Sequence, residues 1–210
     1  MLVVVEHLEP CVSPWLLSEY SYLVEVFGKD VIFTNVRSRK ARELLRSLGA
    51  EVKEMSVVEL VRRGVIPRPL VLDLKAAEEL KPAEVRNFDA VIIGGIMGEH
   101  PPRGRTFREI TLKLPRNTVS RNLGKYQLTI AGAAYVLRKV AEGVELKHLD
   151  IRFGLKFSIK LGDYETVIEL PYAFPYEGGR PVLPRNYLEV VAKRSLLFEQ
   201  SYQCLDESED

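Results

Sequence analysis

FDAVIIGGIMGEHPPRGRT, running from Phe88 to Thr106, is the stretch on which the fold turns. Its first part, Phe88 to Ile93, is short, apolar and β-branched with no polar alternation. That is the pattern of a strand buried on both faces, as in a parallel sheet. The strand passes directly into Gly94, Gly95 and Gly98, then Glu99, His100, Pro101 and Pro102. In an open α/β sheet, ligands sit at the carboxyl ends of strands, and glycines there let backbone approach a ligand closely. The stretch therefore reads as a strand feeding a ligand loop. A tight turn requiring positive φ is the plainer alternative, and glycine alone does not separate the two.

The same texture repeats to either side. Met1 to Val5, Val31 to Phe33 and Leu70 to Leu72 are short apolar runs, and Thr118 with Val119 starts another. Between them the helical period predicts helices. Pro14 opens one that carries Trp15, Leu16, Tyr20, Leu23 and Val24; Ser38 to Leu48 closes at Gly49, and Val57 to Arg63 ends at Gly64. Gln127 to Val140 carries Leu128, Ala131, Ala134, Tyr135 and Val136 on one packing face. A segment rich in Ala, Glu and Lys supplies a crossover between the strands at 70–72 and 88–93, so the expected sheet is largely parallel. From Asp150 the runs Ile151 to Ile159 and Tyr164 to Leu170 alternate, punctuated by Gly154, Gly162, Pro171, Pro175 and Gly178-Gly179. This predicts an α/β core over 1–149, a β-rich extension over 150–205 with a last helix from Pro184 to Leu197, and a disordered acidic end over 206–210.

The chain has 210 residues, 46% hydrophobic and 28% charged, enough to bury a core as one domain or one with a small appendage. Thirty Lys and Arg face 29 Asp and Glu, a net charge of +1 that excludes coating nucleic acid through overall charge. The longest apolar runs, Leu2 to Val5 and Ala90 to Ile93, are far short of the roughly 20 residues that cross a bilayer, so neither a membrane span nor a signal peptide is expected. Cys11 and Cys204 lie at opposite ends with no CxxC or Cys/His cluster. No disulfide framework and no metal site is expected, and a reducing, cytoplasmic setting is the default.

Several common chemistries fail on spacing. The glycines do not fit a Rossmann fingerprint, Gly124-Lys125 is followed by Tyr126 rather than the Ser or Thr of a Walker A loop, and there is no GxSxG elbow. Two further loops are candidates. In SRNLGKYQLT, Ser120 to Thr129, Gly124 precedes a helix whose first turn would carry Gln127 and Thr129, offering amides to a ligand. Its plainer reading makes Thr129 a helix cap. In VLDLKAAEEL, Asp73 follows a buried strand and serves a ligand loop or a cap.

Taken together, Glu6-His7, Glu9, Trp15, Glu19-Tyr20, GGIMGEHPPRGRT and RNLGKYQLT resemble the SPOUT-class protein-arginine methyltransferases, whose fungal member modifies a small-subunit ribosomal protein. The resemblance covers almost the whole chain, to Pro181–Pro184. It implies a SPOUT-type, mostly parallel α/β sheet, a trefoil knot in the carboxy-terminal part of the core, and S-adenosylmethionine (SAM) held bent by three loops. On this sequence those loops carry Leu72 and Asp73; Gly94, Gly95, Ile96 and Gly98; and Leu123, Gly124, Gln127, Leu128 and Thr129. It also implies a small-subunit ribosomal protein as substrate. Members of the class dimerise through the knot, and monomer or dimer stays open here.

Methyl transfer chiefly needs nucleophile, methyl and sulfur held in line. An arginine arrives charged, so a carboxylate must orient it and take its proton. Glu99 is the first choice, with Glu9 and Glu6 as partners. His7 and His100 are candidate proton relays, and Arg105 is a candidate to hold Glu99 or Glu9 or, with Arg103, the methionyl carboxylate. Two readings compete. One is an RNA methyltransferase, using basic stretches at Arg37 to Arg42 and Arg103 to Lys125; the other is a non-catalytic, cofactor-binding ribosome-assembly module. Trp15 and Tyr20 read as core residues by their helical spacing.

Overall fold

Serine and threonine caps set where four of the helices begin. The computed structural model describes residues 1–161, 164–196 and 204–206. β1 (Leu2–His7) leads to α1 (Pro14–Phe27), where Ser13 accepts the Leu16 N–H at 3.2 Å and Pro14 takes the first helical position. β2 (Val31–Thr34) leads to α2 (Arg39–Ser47), capped by Ser38; β3 (Glu51–Val52) leads to α3 (Val57–Arg62), capped by Ser56. β4 (Pro69–Leu72) and β5 (Ala90–Gly95) follow, joined by turns and a 3-10 segment, Pro82–Asn87, rather than an α-helix. Then come α4 (Arg105–Glu109), β6 (Val119–Arg121) and α5 (Ile130–Ala141).

Strands β1 to β6 form one all-parallel sheet in the order β3-β2-β1-β5-β4-β6. The sheet's faces follow from side-chain alternation. Val3, Val5, Phe33, Val91 and Ile93 join Leu16, Leu23, Leu45 and Leu137 in one core beneath α1, α2 and α5. Val4, Val71 and Ile92 join Val57, Leu60 and Ile110 on the other face. Each such buried aliphatic side chain contributes about 1.5–3 kcal/mol, and Leu16→Ala would cost about 2–5 kcal/mol. In the β1–β5 register, Glu6 lies beside Gly94 and His7 beside Gly95, which brings the ends of the two central strands to one edge.

Residues beyond the parallel sheet make a second, antiparallel sheet of β7 (Asp150–Leu161), β8 (Tyr164–Glu177) and β9 (Arg180–Pro181), followed by α6 (Tyr187–Leu196). Leu155, Ile168, Leu170, Phe174, Tyr187 and Val191 pack with Trp15 of α1 as a third apolar cluster. Among the described residues no helix is long and apolar enough to cross a membrane.

Two expectations are corrected. The last core helix begins at Ile130, not Gln127, because Thr129 caps it by accepting the Gly132 N–H at 3.0 Å; Gln127 and Leu128 stay in the preceding loop. Cys11 and Cys204 are joined in a disulfide. The separation of 193 residues hid it, since the chain end returns to the β1–α1 loop, where the Leu205 N–H reaches the Val12 carbonyl at 2.9 Å. The step from unpaired cysteines to a reducing compartment therefore loses its premise. The expected acidic tail lies, from residue 207, outside the described residues.

Candidate active site

The carboxyl ends of β4 and β5 and the loop entering α5 converge on an open cleft. Ten of the eleven cofactor positions read from the sequence line it: Leu72, Asp73, Gly94, Ile96, Gly98, Leu123, Gly124, Gln127, Leu128 and Thr129. Gly95 does not. A Cβ there would press on the Tyr20 hydroxyl and lie 2.9 Å from the Glu6 carbonyl, so this glycine serves the packing of β5 against β1 and α1. Gly98 does face the cleft, and a Cβ on it would meet the Gln127 amide and, at 2.5 Å, the Tyr172 ring. Tyr172, on β8, donates to the Gly98 carbonyl at 2.7 Å and so braces the loop from the second sheet.

The amides at the start of α5 are taken by protein. Ala131 N–H goes to Glu19 at 2.6 Å and Gly132 N–H to the Thr129 hydroxyl. A ligand cannot use them as the sequence pattern suggests. Asp73, buried at the end of β4, accepts the Thr111 hydroxyl at 2.6 Å and the Lys75 N–H at 2.9 Å, which shapes its loop.

The five candidate catalytic residues separate. Glu9 and Arg105 form an ion pair at 2.6 Å, with side chains 8% and 24% exposed. The same Glu9 oxygen accepts the Met97 N–H at 3.0 Å, and Arg105 also donates to the Leu8 carbonyl at 2.8 Å. This pair clamps the end of β1 to the loop after β5. Glu99 lines the cleft and pairs with Arg103 at 2.8 Å on the solvent side, where such a pair contributes little.

Glu6 and His7 do not line the cleft, and strand alternation sends them to opposite faces of the sheet. Glu6 accepts from Thr34 Oγ1 and Ser56 Oγ, each at 2.6 Å, and from the Val57 N–H at 2.8 Å; it anchors α3. His7 is buried against α1 with its Nδ1 3.0 Å from the Tyr20 hydroxyl. Burial pushes its imidazole below the ordinary range, opposed by the charge of Asp206. The grouping of Glu6, Glu9 and Glu99 around one substrate is thus not formed. His100 is exposed, its ring 6.3 Å from that of Phe153.

Sequence reasoning overlooked Glu19 as a site residue. It is buried on α1 one turn from Trp15, and burial pushes its carboxyl up to about 7, opposed by the Ala131 N–H that it accepts and by the nearby polar groups of Tyr187, Trp15 and Thr129. The available signal was an acid on the apolar face of a helix, which a solvated residue would avoid.

A family model described as protein arginine N-methyltransferase SFM1-like matches residues 2–196. The chain belongs to the SFM1-like family. This bears out the resemblance read from the motifs. The protein arginine N-methyltransferase SFM1 of Saccharomyces cerevisiae is 27% identical over 213 residues, which cover 93% of this chain and 96% of the yeast protein. The crystal structure of yeast SFM1 complexed with SAM superposes with a TM-score of 0.81 at 24% identity, covering 93% of this chain and 91% of that one. The dual specific Trm10 of Thermococcus kodakaraensis shares the fold at a TM-score of 0.53 and 14% identity, over 70% of this chain and 95% of that one.

In this SFM1-like chain the basic stretches are partly neutralised. Arg103 pairs with Glu99, Arg105 with Glu9, Lys113 with Glu109, and Arg121 with Glu78 and Glu84; in the other stretch Arg39 pairs with Glu43 and Arg42 with Glu54.

Proposed function

We propose that the protein methylates the guanidinium of an arginine, using SAM, on a small-subunit ribosomal protein in the cytoplasm. The observation that carries this reading is the convergence of the three loops on one cleft. The cleft suits SAM: Ile96, Leu123, Leu128 and Ile130 offer apolar surface for a flat base, and Gly98 and Gly124 leave backbone unshielded beside it. When bound, SAM supplies an electrophilic methyl: an Nη–C bond forms as the C–S bond breaks, the electron pair stays on sulfur, and the guanidinium releases one proton. Asp73, Gln127 and the backbone of 94–98 and 122–129 would hold and orient it. Glu9 and Arg105 keep the 96–98 loop in place, and Glu99 stands at the rim, where an incoming cation can compete with Arg103 for it.

Knotting of the carboxy-terminal part of the core belongs to the same proposal. It is supported by the passage of the chain around Asn122 between neighbours far away in sequence: the Asn122 N–H reaches the Glu78 carbonyl at 2.9 Å, its side chain reaches the Ala76 carbonyl at 2.9 Å, and its carbonyl accepts from Leu80 at 3.0 Å. A protein substrate is favoured over RNA by the match of residues 2–196 to a protein arginine N-methyltransferase family. The test is to incubate the protein with SAM and purified small-subunit ribosomal proteins, then map products by mass spectrometry. A methyl increment on an arginine supports the proposal; none on any arginine opposes it.

A further inference from the structure

A second, smaller and tight cavity adjoins the cofactor cleft. Residues 96–98 and 128–130 line both. Its remaining walls are Trp15 and Glu19 of α1, Tyr172 of β8 and Tyr187 of α6. Three aromatic residues thus surround one buried carboxylate, and Tyr172, through its hydrogen bond to the Gly98 carbonyl, ties this box to the cofactor loop.

Of the neighbouring carboxylates, Glu9 carries Arg105, Glu6 lies off the cleft and accepts from Thr34, Ser56 and Val57, and Glu99 is partly exposed at the rim beside Arg103. Glu19 is fully buried. It accepts the Ala131 N–H at 2.6 Å, has only the neutral side chains of Tyr187, Trp15 and Thr129 around it, and among the described residues no cation pairs with it. A carboxylate in so dry a place is costly to ionise, and the group that best offsets that cost is a cation rich in N–H donors. A guanidinium matches both features of the box. It pairs with a carboxylate through two parallel hydrogen bonds, and its flat, weakly hydrated face is attracted by aromatic rings.

We propose that Glu19, boxed by Trp15, Tyr172 and Tyr187, is the carboxylate that receives the substrate arginine's guanidinium beside the cofactor cleft. The inference rests on the arginine-methylation reading and names the residue that recognises its substrate. Two N–H groups bind Glu19 in place of neutral side-chain neighbours, leaving an Nη free to face the wall shared with the cleft. As the Nη–C bond forms and the C–S bond breaks, the proton lost from nitrogen passes to the Glu19 carboxylate. A lysine ammonium lacks the planar fork, so the box selects arginine.

Trp15 is the chain's single tryptophan, so its fluorescence reports on the box directly. The test titrates the protein, in the presence of S-adenosylhomocysteine, with Nα-acetyl-arginine amide and with the peptide Gly-Arg-Gly, against their lysine and citrulline counterparts. The expected result is a saturable change in Trp15 emission with the arginine compounds alone. Glu19→Gln should still unfold in one cooperative transition and keep its SAM affinity by calorimetry, lose the fluorescence response, and lower arginine methylation about 100-fold. Wild-type methylation of arginine with no Trp15 response to arginine, or Glu19→Gln methylating within about twofold of wild type, would overturn the inference. Should Glu19→Gln not fold, the wild-type titration decides alone. A wild-type protein that responds to arginine yet methylates none would instead sink the proposed reaction and leave the box standing as an arginine receptor.

Discussion

Arg105→Met tests whether the Glu9–Arg105 clamp shapes the cofactor loop. The substitution keeps the length and apolar stem of the side chain but leaves Glu9, 8% exposed, without its cation. Removing one partner of a fully buried pair costs about 3–5 kcal/mol. Here Arg105 is 24% exposed and Glu9 keeps the Met97 N–H, so the expected cost is about 2 kcal/mol, or a fall in Tm of about 4–8 °C. Because the oxygen that binds Arg105 also holds Met97, the loop loosens, and SAM affinity should fall about tenfold. Thermal melts and calorimetry on wild type, Arg105→Met, Glu9→Gln and the double variant give a cycle, with an expected coupling of about 1–2 kcal/mol. A coupling below about 0.3 kcal/mol, or unchanged SAM affinity in both single variants, would refute the clamp.

Three further outcomes are expected. Gly98→Ala drives a methyl into the Gln127 amide and the Tyr172 ring, so SAM binding should fall at least about tenfold by calorimetry while the fold survives; wild-type affinity would mean the loop shifts freely. Glu19 titrates near 7 when folded and near 4.5 when unfolded, so the native state holds the extra proton between those values. Stability from this group is present below pH 4.5 and lost as pH rises to 7, by about 3 kcal/mol. His7, lowered by burial, works in the opposite sense, with stability lost as pH falls. The difference between wild-type and Glu19→Gln urea melts from pH 5 to 8 isolates Glu19, and a flat difference would contradict its raised value. Finally, chain-entropy reasoning sets a ceiling of about 5 kcal/mol on the stabilisation from the Cys11–Cys204 bond, so reductant should lower Tm; an unchanged Tm with both thiols titratable would show that the tail contributes nothing.

What was legible in the chain was whatever a short window carries. The unbroken apolar run into Gly94 and Gly95 announces β5 and its loop, and Thr129 announces its own cap once the plainer reading is preferred. Period-two alternation also forbids Glu6 and His7 from sharing a face, a constraint a motif-based grouping overlooks. The rest depended on contacts distant in sequence. Glu9 meets Arg105 across 96 residues, Glu19 meets Ala131 across 112, and Cys11 meets Cys204 across 193. Tyr172 and Tyr187 enter the site from a second sheet and its following helix, and nothing local marks them as neighbours of Trp15.

The most direct measurement is the fate of the methyl group itself. Protein incubated with radiolabelled SAM and ribosomal small subunits should place label in material that protease destroys and ribonuclease does not, and acid hydrolysis should return it as methylarginine. Label released by ribonuclease, or no label from a protein that binds SAM by calorimetry, would contradict arginine methylation.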